Sequence, residues 1–220
     1  MKAAVLWTGG KDSALACYKA QKNHDVAMFV NFIWEKPSMS HPSLITKLQS
    51  EAIREQFLWD RLQPPYPESY RESILELKNE YGIEAVVTGD ITADTFHGKW
   101  IDEVCKDTGV SGHQAPVGAR TGEANGGNTC EWFESHFHMR ERALVHQEWL
   151  GRTIDEKCLQ DLQALHEKNG VDLCGEFGEY HTMVVDAPFF TKTIQMSMFK
   201  KQKTENGFIM EPVGLSLKPK

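Results

Sequence analysis

Thr8-Gly9-Gly10-Lys11-Asp12-Ser13 is the part of this chain whose residue types and spacing could do chemistry. Paired glycines let a backbone turn sharply and come close to a phosphate. Such a turn at the start of a helix offers backbone N–H groups and a dipole that favour an anion. Lys11 adds a mobile cation, and Thr8 and Ser13 add hydroxyls. Asp12 beside them would repel a phosphate unless a metal ion or a backbone contact offsets its charge. An ordinary helix cap would need only one of these residues. The G-x-x-x-x-G-K-[ST] spacing of a Walker loop is absent.

Those residues need a strand before them and a helix after them. Ala3–Trp7 is apolar and extended in pattern, and Ser13–Lys22 is amphipathic. Further along, strands are expected at 26–33 and 85–88, with a short one inside 58–67 before a proline-rich turn. Helices are expected at 43–57, 70–81 and 97–108. Alternating strands and helices predict a doubly wound, mostly parallel α/β sheet, with ligands outside the carboxyl ends of its strands. Thr8–Ser13, Asn31–Ile33 and Gly89–Asp90 all fall at such ends, so they should converge on one crevice. A helix over 153–168, with Asp155 and Glu156 in its first turn, then leads to strands at 183–186, 192–198 and 208–217. This order predicts a first domain over 1–115, which carries the glycine loop, and a smaller α+β domain over 116–220, packed on the first sheet's open edge.

The loop resembles the S-G-G-x-D-S pyrophosphate loop of adenylating ATP pyrophosphatases, with Thr8 in place of the first Ser. Within that superfamily the chain is similar to the diphthine–ammonia ligase family. Ser38-Met39-Ser40-His41 is similar to that family's S-x-M-x-H segment with one residue fewer, and Thr88-Gly89-Asp90-Ile91 also fits. Cys174-Gly175-Glu176-Phe177-Gly178-Glu179-Tyr180-His181-Thr182, followed by Asp186-Ala187-Pro188-Phe189-Phe190, is close to G-E-x-G-E-Y-E-T with D-A-P-x-F. His181 stands where the family has Glu, which removes a negative charge.

The resemblance implies a Rossmann-like fold and an ATP-dependent ligase joining a carboxylate to ammonia, with AMP and pyrophosphate released. Thr8, Gly9, Gly10, Lys11, Asp12, Ser13 and Asp90 would then bind ATP. Lys11, Asp12, Glu176 and Glu179 would carry catalysis, and His41, Gly178, Tyr180 and Thr182 would meet the acceptor. Asp12 and Asp90 are the candidates for Mg²⁺, which takes a few carboxylates together with water and phosphate oxygens. Asp90 reads equally as a turn residue, and the two glutamates also fit a solvated glycine turn. The acceptor in that family is a modified histidine on elongation factor 2, and a small carboxylic acid is the alternative. A non-catalytic nucleotide-binding module and a tRNA-modifying adenylase remain as rivals.

Bulk properties narrow these choices. The 220 residues carry a net charge of −7, so no global field draws nucleic acid, which counts against the tRNA reading. Five scattered cysteines without a C-x-x-C pair argue against a disulfide framework, a zinc site and sulfur transfer. Cys105 and Cys174 read as small buried hydrophobes, and Trp34, Trp100 and Trp149 as packing residues. The apolar start is too short for a signal peptide or membrane span, so a cytoplasmic protein is expected, with no membrane partner. A homo-oligomer is compatible with all of this.

From about Ala119 to Gln147 the pattern fails. Residues 118–128 have no core periodicity, and 131–140 mix histidines and charges among aromatics. A long active-site loop, a metal-binding cluster of His136, His138 and His146, and an out-of-frame stretch compete here. Codons for Trp132–Gln147 read one nucleotide later permit G-L-K-V-I-F-T-C-V-R-E-P-W-F-T-K, an apolar strand after a glycine. A compensated pair of frameshifts is therefore expected, with a strand and part of a helix lost from the chain as written.

Overall fold

The computed structural model describes residues 1–35, 43–90, 100–114, 134–140 (backbone), 145–175, 177–204 and 207–220. Two compact units emerge. The first holds residues 1–8, 12–38 and 55–117, and the second 9–11, 39–54 and 118–220. The division therefore passes through the glycine loop itself.

In the first unit β1 (Lys2–Leu6), β2 (Asp25–Ile33), β3 (Gln56–Arg61), β4 (Ala85–Thr88) and β5 (Ser111–Gln114) form one sheet in the order β3-β2-β1-β4-β5. Every pairing is parallel. The apolar runs of β1 and β4 are what a strand buried on both faces requires, and Ala3, Ala4, Val5, Val86 and Val87 are all buried. Alternation divides them between two faces. Ala4, Leu6, Met28, Val30 and Val86 pack with Ile74 and Leu77 of α3 (Tyr66–Tyr81) and Ile101 and Cys105 of α4 (Trp100–Cys105). Val87, on the opposite side, shares a cavity with Ala20 of α1 (Lys11–Ala20). The helix α3 stops at Gly82, whose left-handed backbone (φ 67°) caps the Leu77 and Lys78 carbonyls.

In the second unit β6 (Glu134–Arg140), β7 (His181–Asp186), β8 (Lys192–Lys203) and β9 (Phe208–Pro219) form an antiparallel sheet in the order β7-β6-β9-β8. The helix α2 (Ser43–Ala52) belongs to this unit. Its last carbonyl accepts both the Thr191 N–H (2.7 Å) and the Thr191 hydroxyl (2.8 Å). Another helix, α5 (Glu156–Asn169), starts where the Asp155 carboxylate accepts the Cys158 N–H at 2.8 Å. Its Cys158 and Leu162 pack with Val145, Ile154, Val171 and Tyr180.

Several expectations need correction. The helix expected over 43–57 ends at Ala52. Gln56 and Phe57 instead open β3, which continues through the short strand expected inside 58–67, because bulky residues that pair with β2 outweigh a helical period. The helix expected over 97–108 is described only from Trp100 to Cys105, and β5 was not foreseen. The stretch expected to lack structure as written contains β6, paired with β7 and β9.

Candidate functional site

The order of the parallel sheet reverses at β1, which lies between β2 and β4. Ligands of such sheets bind outside the carboxyl ends of the strands flanking that point. Here β1 runs into the glycine loop and β4 into Gly89–Asp90. Gly89 meets the start of α1: a Cβ on it would lie 2.5 Å from the Asp12 carbonyl carbon and 2.6 Å from the Ser13 nitrogen. Only glycine permits that approach, because the obstruction is backbone. Thr8 donates its hydroxyl to the Ser13 hydroxyl at 3.3 Å, and Asn31 ties the end of β2 to β1 through the Trp7 carbonyl at 2.6 Å. Within this unit the fold thus brings Thr8, Asp12, Ser13, Gly89 and Asp90 to the same end of the sheet.

Asp90 is oriented by its neighbours. One carboxylate oxygen accepts the Thr88 hydroxyl at 2.7 Å and the Trp100 indole N–H at 2.5 Å. The Trp100 ring lies tilted by 55° against Tyr70, which meets Phe32 edge-on. Burial pushes the Tyr70 hydroxyl up to about 12, and the nearby Asp90 charge adds to this against a hydrogen bond with Trp34. Trp100 is therefore more than packing: it holds a carboxylate at the carboxyl end of β4. Its indole donor was not legible as such in the sequence.

In the second unit the middle of the loop is held firmly. Gly9 adopts φ 86°, and its carbonyl accepts the Val184 N–H (2.9 Å) and the Gln49 amide (2.9 Å). The same Gln49 nitrogen donates to the Val184 carbonyl at 2.8 Å, and Gln49 is fully buried. A Cβ on Gly9 would fall on the Gln49 carbonyl oxygen. The Lys11 N–H donates to the Thr182 hydroxyl at 3.0 Å. Two corrections follow: that N–H is already engaged, and Lys11 is a buried cation at 5% exposure rather than a mobile one. Its ammonium lies 5.8 Å from the centre of the Tyr180 ring. Thr182 thereby serves the loop. No spacing signal pointed to Gln49, which reads as one of several residues on an amphipathic helix.

The acidic glycine turn is built around Glu179. This carboxylate is 2% exposed, and its two oxygens accept the N–H groups of Asp172 (3.1 Å) and Phe177 (3.0 Å). The Tyr180 hydroxyl donates to the Leu173 carbonyl at 2.6 Å, and Gly175 and Gly178 both take positive φ. Phe177 stands 57% exposed at the apex. His41, Glu176, Cys130 and the side chains of His136 and His138 lie outside the described residues, whereas His146 is exposed. Burial pushes the thiols of Cys17 and Cys105 up, with Glu55 and Asp102 adding to it respectively. Cys105 is buried as expected, and Cys174 is half-buried.

Asp12 and Asp90 supply carboxylates of the kind Mg²⁺ takes together with phosphate oxygens and water. No group of three metal-ligating side chains occurs among the described residues. No helix among them is long and apolar enough to cross a membrane.

Sheet order and glycine loop define a Rossmann-like α/β protein whose first strand–helix turn lies at the point where the strand order reverses. Residues 1–112 match the family model described as the diphthamide synthase N-terminal domain, and residues 127–212 match the diphthamide synthase C-terminal domain. The chain belongs to this family. No curated protein matches it.

Proposed function

We propose that this chain is an ATP-dependent amide ligase resembling diphthine–ammonia ligase. A carboxylate oxygen of the acceptor attacks the α-phosphorus of ATP and the bond to the β-phosphate oxygen breaks, releasing pyrophosphate. Ammonia then attacks the acyl carbon and AMP leaves, giving the amide. The observation that carries this reading is Gly89, seated on the Asp12–Ser13 peptide where the sheet order reverses, in a chain that matches both diphthamide synthase domains.

The developing negative charge on pyrophosphate is met by Thr8, Gly9, Gly10, Ser13 and the Lys11 ammonium. Burial of Lys11 strengthens its charge interactions relative to water. Asp12 and Asp90 would hold Mg²⁺, which when bound neutralises phosphate charge. Asp90 is kept in place by Thr88 and Trp100. Glu179, with both oxygens engaged by backbone N–H groups, acts through the turn it holds. Glu176, His41, Gly178 and Tyr180 are assigned to the acceptor side, where the acceptor is elongation factor 2 or a small carboxylic acid.

The test is pyrophosphate release from ATP with magnesium, ammonium and each candidate acceptor. Release that requires both ammonium and acceptor supports the reading. Nucleotide binding without release under any of these conditions would instead make the chain a sensor.

A further inference from the structure

A second basic site lies in the first unit, roughly 12 Å along α1 from its loop end. A cavity of about 300 Å³ opens between the last turn of α1 with residues 22–24 and the strands β4 and β5. Lys19, Lys22, His24 and His113 line it, together with the amides of Asn23 and Gln114, and among the described residues no carboxylate does. The two imidazole rings lie 5.0 Å apart, tilted by 50°. His24 Nδ1 and His113 Nε2 are both buried without a hydrogen-bond partner. Unsatisfied buried nitrogens are costly, and here the two residues that carry them line one cavity.

The charges are crowded as well. Burial, then His113 and the Met1 amino group, push His24 below the usual imidazole range. Burial and Lys22 push Lys19 down. The Lys22 ammonium sits 4.9 Å from the centre of the Tyr18 ring. The acid adjoining His24 in the chain, Asp25, is exposed and does not line the cavity. Basic groups crowded around one cavity repel one another, and a bound anion would offset that repulsion. A metal between the imidazoles would instead face two lysines.

We propose that this cavity binds a small phosphate-bearing anion, at a site separate from the glycine loop. Protonated His24 and His113 would donate to its oxygens, with Lys19 and Lys22 supplying charge.

Imidazole NMR of the intact protein tests this with inorganic phosphate, pyrophosphate and AMP as probes, against chloride at equal ionic strength. The expected result is movement of the His24 and His113 signals with at least one probe, saturating with a Kd of about 1 mM or tighter. The His24 titration should move to higher pH in that complex. Lys19→Gln and His113→Gln should each weaken binding about tenfold, while Asp12→Ala leaves it unchanged. Lys19→Gln serves alone if His113→Gln does not fold. No movement with any probe, equal movement with chloride, or loss in Asp12→Ala would overturn the proposal.

Discussion

Replacing Gln49 with Leu removes the amide that holds the loop while keeping the side chain's volume nearly constant. Its nitrogen donates to the Gly9 carbonyl at 2.9 Å and to the Val184 carbonyl at 2.8 Å, in a position with no solvent exposure. Two lost bonds at about 1 kcal/mol each set the lower estimate. Gly9 keeps the Val184 N–H, but the Val184 carbonyl loses a buried donor, which raises the cost toward about 4 kcal/mol. Urea unfolding measures it, and a shift in midpoint at constant slope is expected. Gln49→Glu should be at least as damaging, because a carboxylate would face two carbonyl oxygens. Nucleotide affinity, measured well below the unfolding midpoint, should fall in both variants through misplacement of Gly9. Stability within about 0.5 kcal/mol of the parent for Gln49→Leu would refute the reasoning, since that is the range of ordinary surface changes.

Other outcomes follow from the same contacts. Gly89→Ala should disrupt nucleotide binding and cost several kcal/mol, because its Cβ meets the Asp12 and Ser13 backbone, which cannot move aside; calorimetric binding and melting check both. Tyr70 is neutral in the folded protein up to about 12, against 10.0 when unperturbed, so its contribution to stability is complete below pH 10 and is lost as pH rises toward 12. Tyr70→Phe should flatten that part of the unfolding profile, measured by melting against pH. Glu179→Gln keeps the shape but offers only one strong acceptor to the Asp172 and Phe177 N–H groups, and should cost about 1–3 kcal/mol in denaturant titrations. Replacing Trp132–Gln147 with G-L-K-V-I-F-T-C-V-R-E-P-W-F-T-K should raise the melting temperature by about 5 °C or more, as an apolar strand gains about 1.5–3 kcal/mol for each buried side chain. An unchanged or lower melting temperature would leave the out-of-frame reading without support.

Much of the parallel sheet was legible because its signals are local. Val86-Val87 and Ala3–Leu6 are too uniformly apolar for a one-sided strand, and Gly82 and Gly170 end their helices where left-handed caps are needed. Only the start of β3, Gln56 and Phe57, reads as helix, because Phe57 fits a helical face and a strand equally well until its partner β2 is known. Ser111–Gln114 has no apolar signal at all; its pairing with β4 makes it a strand. The glycine loop announced itself by composition, but its fastenings did not. Thr182 lies 171 positions from Lys11, and Gln49 lies 135 from Val184, separations that no short-range pattern encodes. Glu179 was legible as an unusual carboxylate, yet its burial against two N–H groups depends on how the turn closes.

The central claim is that the Thr8–Ser13 turn grips a nucleoside triphosphate. Isothermal calorimetry with magnesium and a non-hydrolysable ATP analogue tests it most directly, using parent and Asp12→Ala proteins of matched circular dichroism. The account predicts saturable heat for the parent and its loss in the variant. Absence of heat for the folded parent, or equal heat from both proteins, would contradict it.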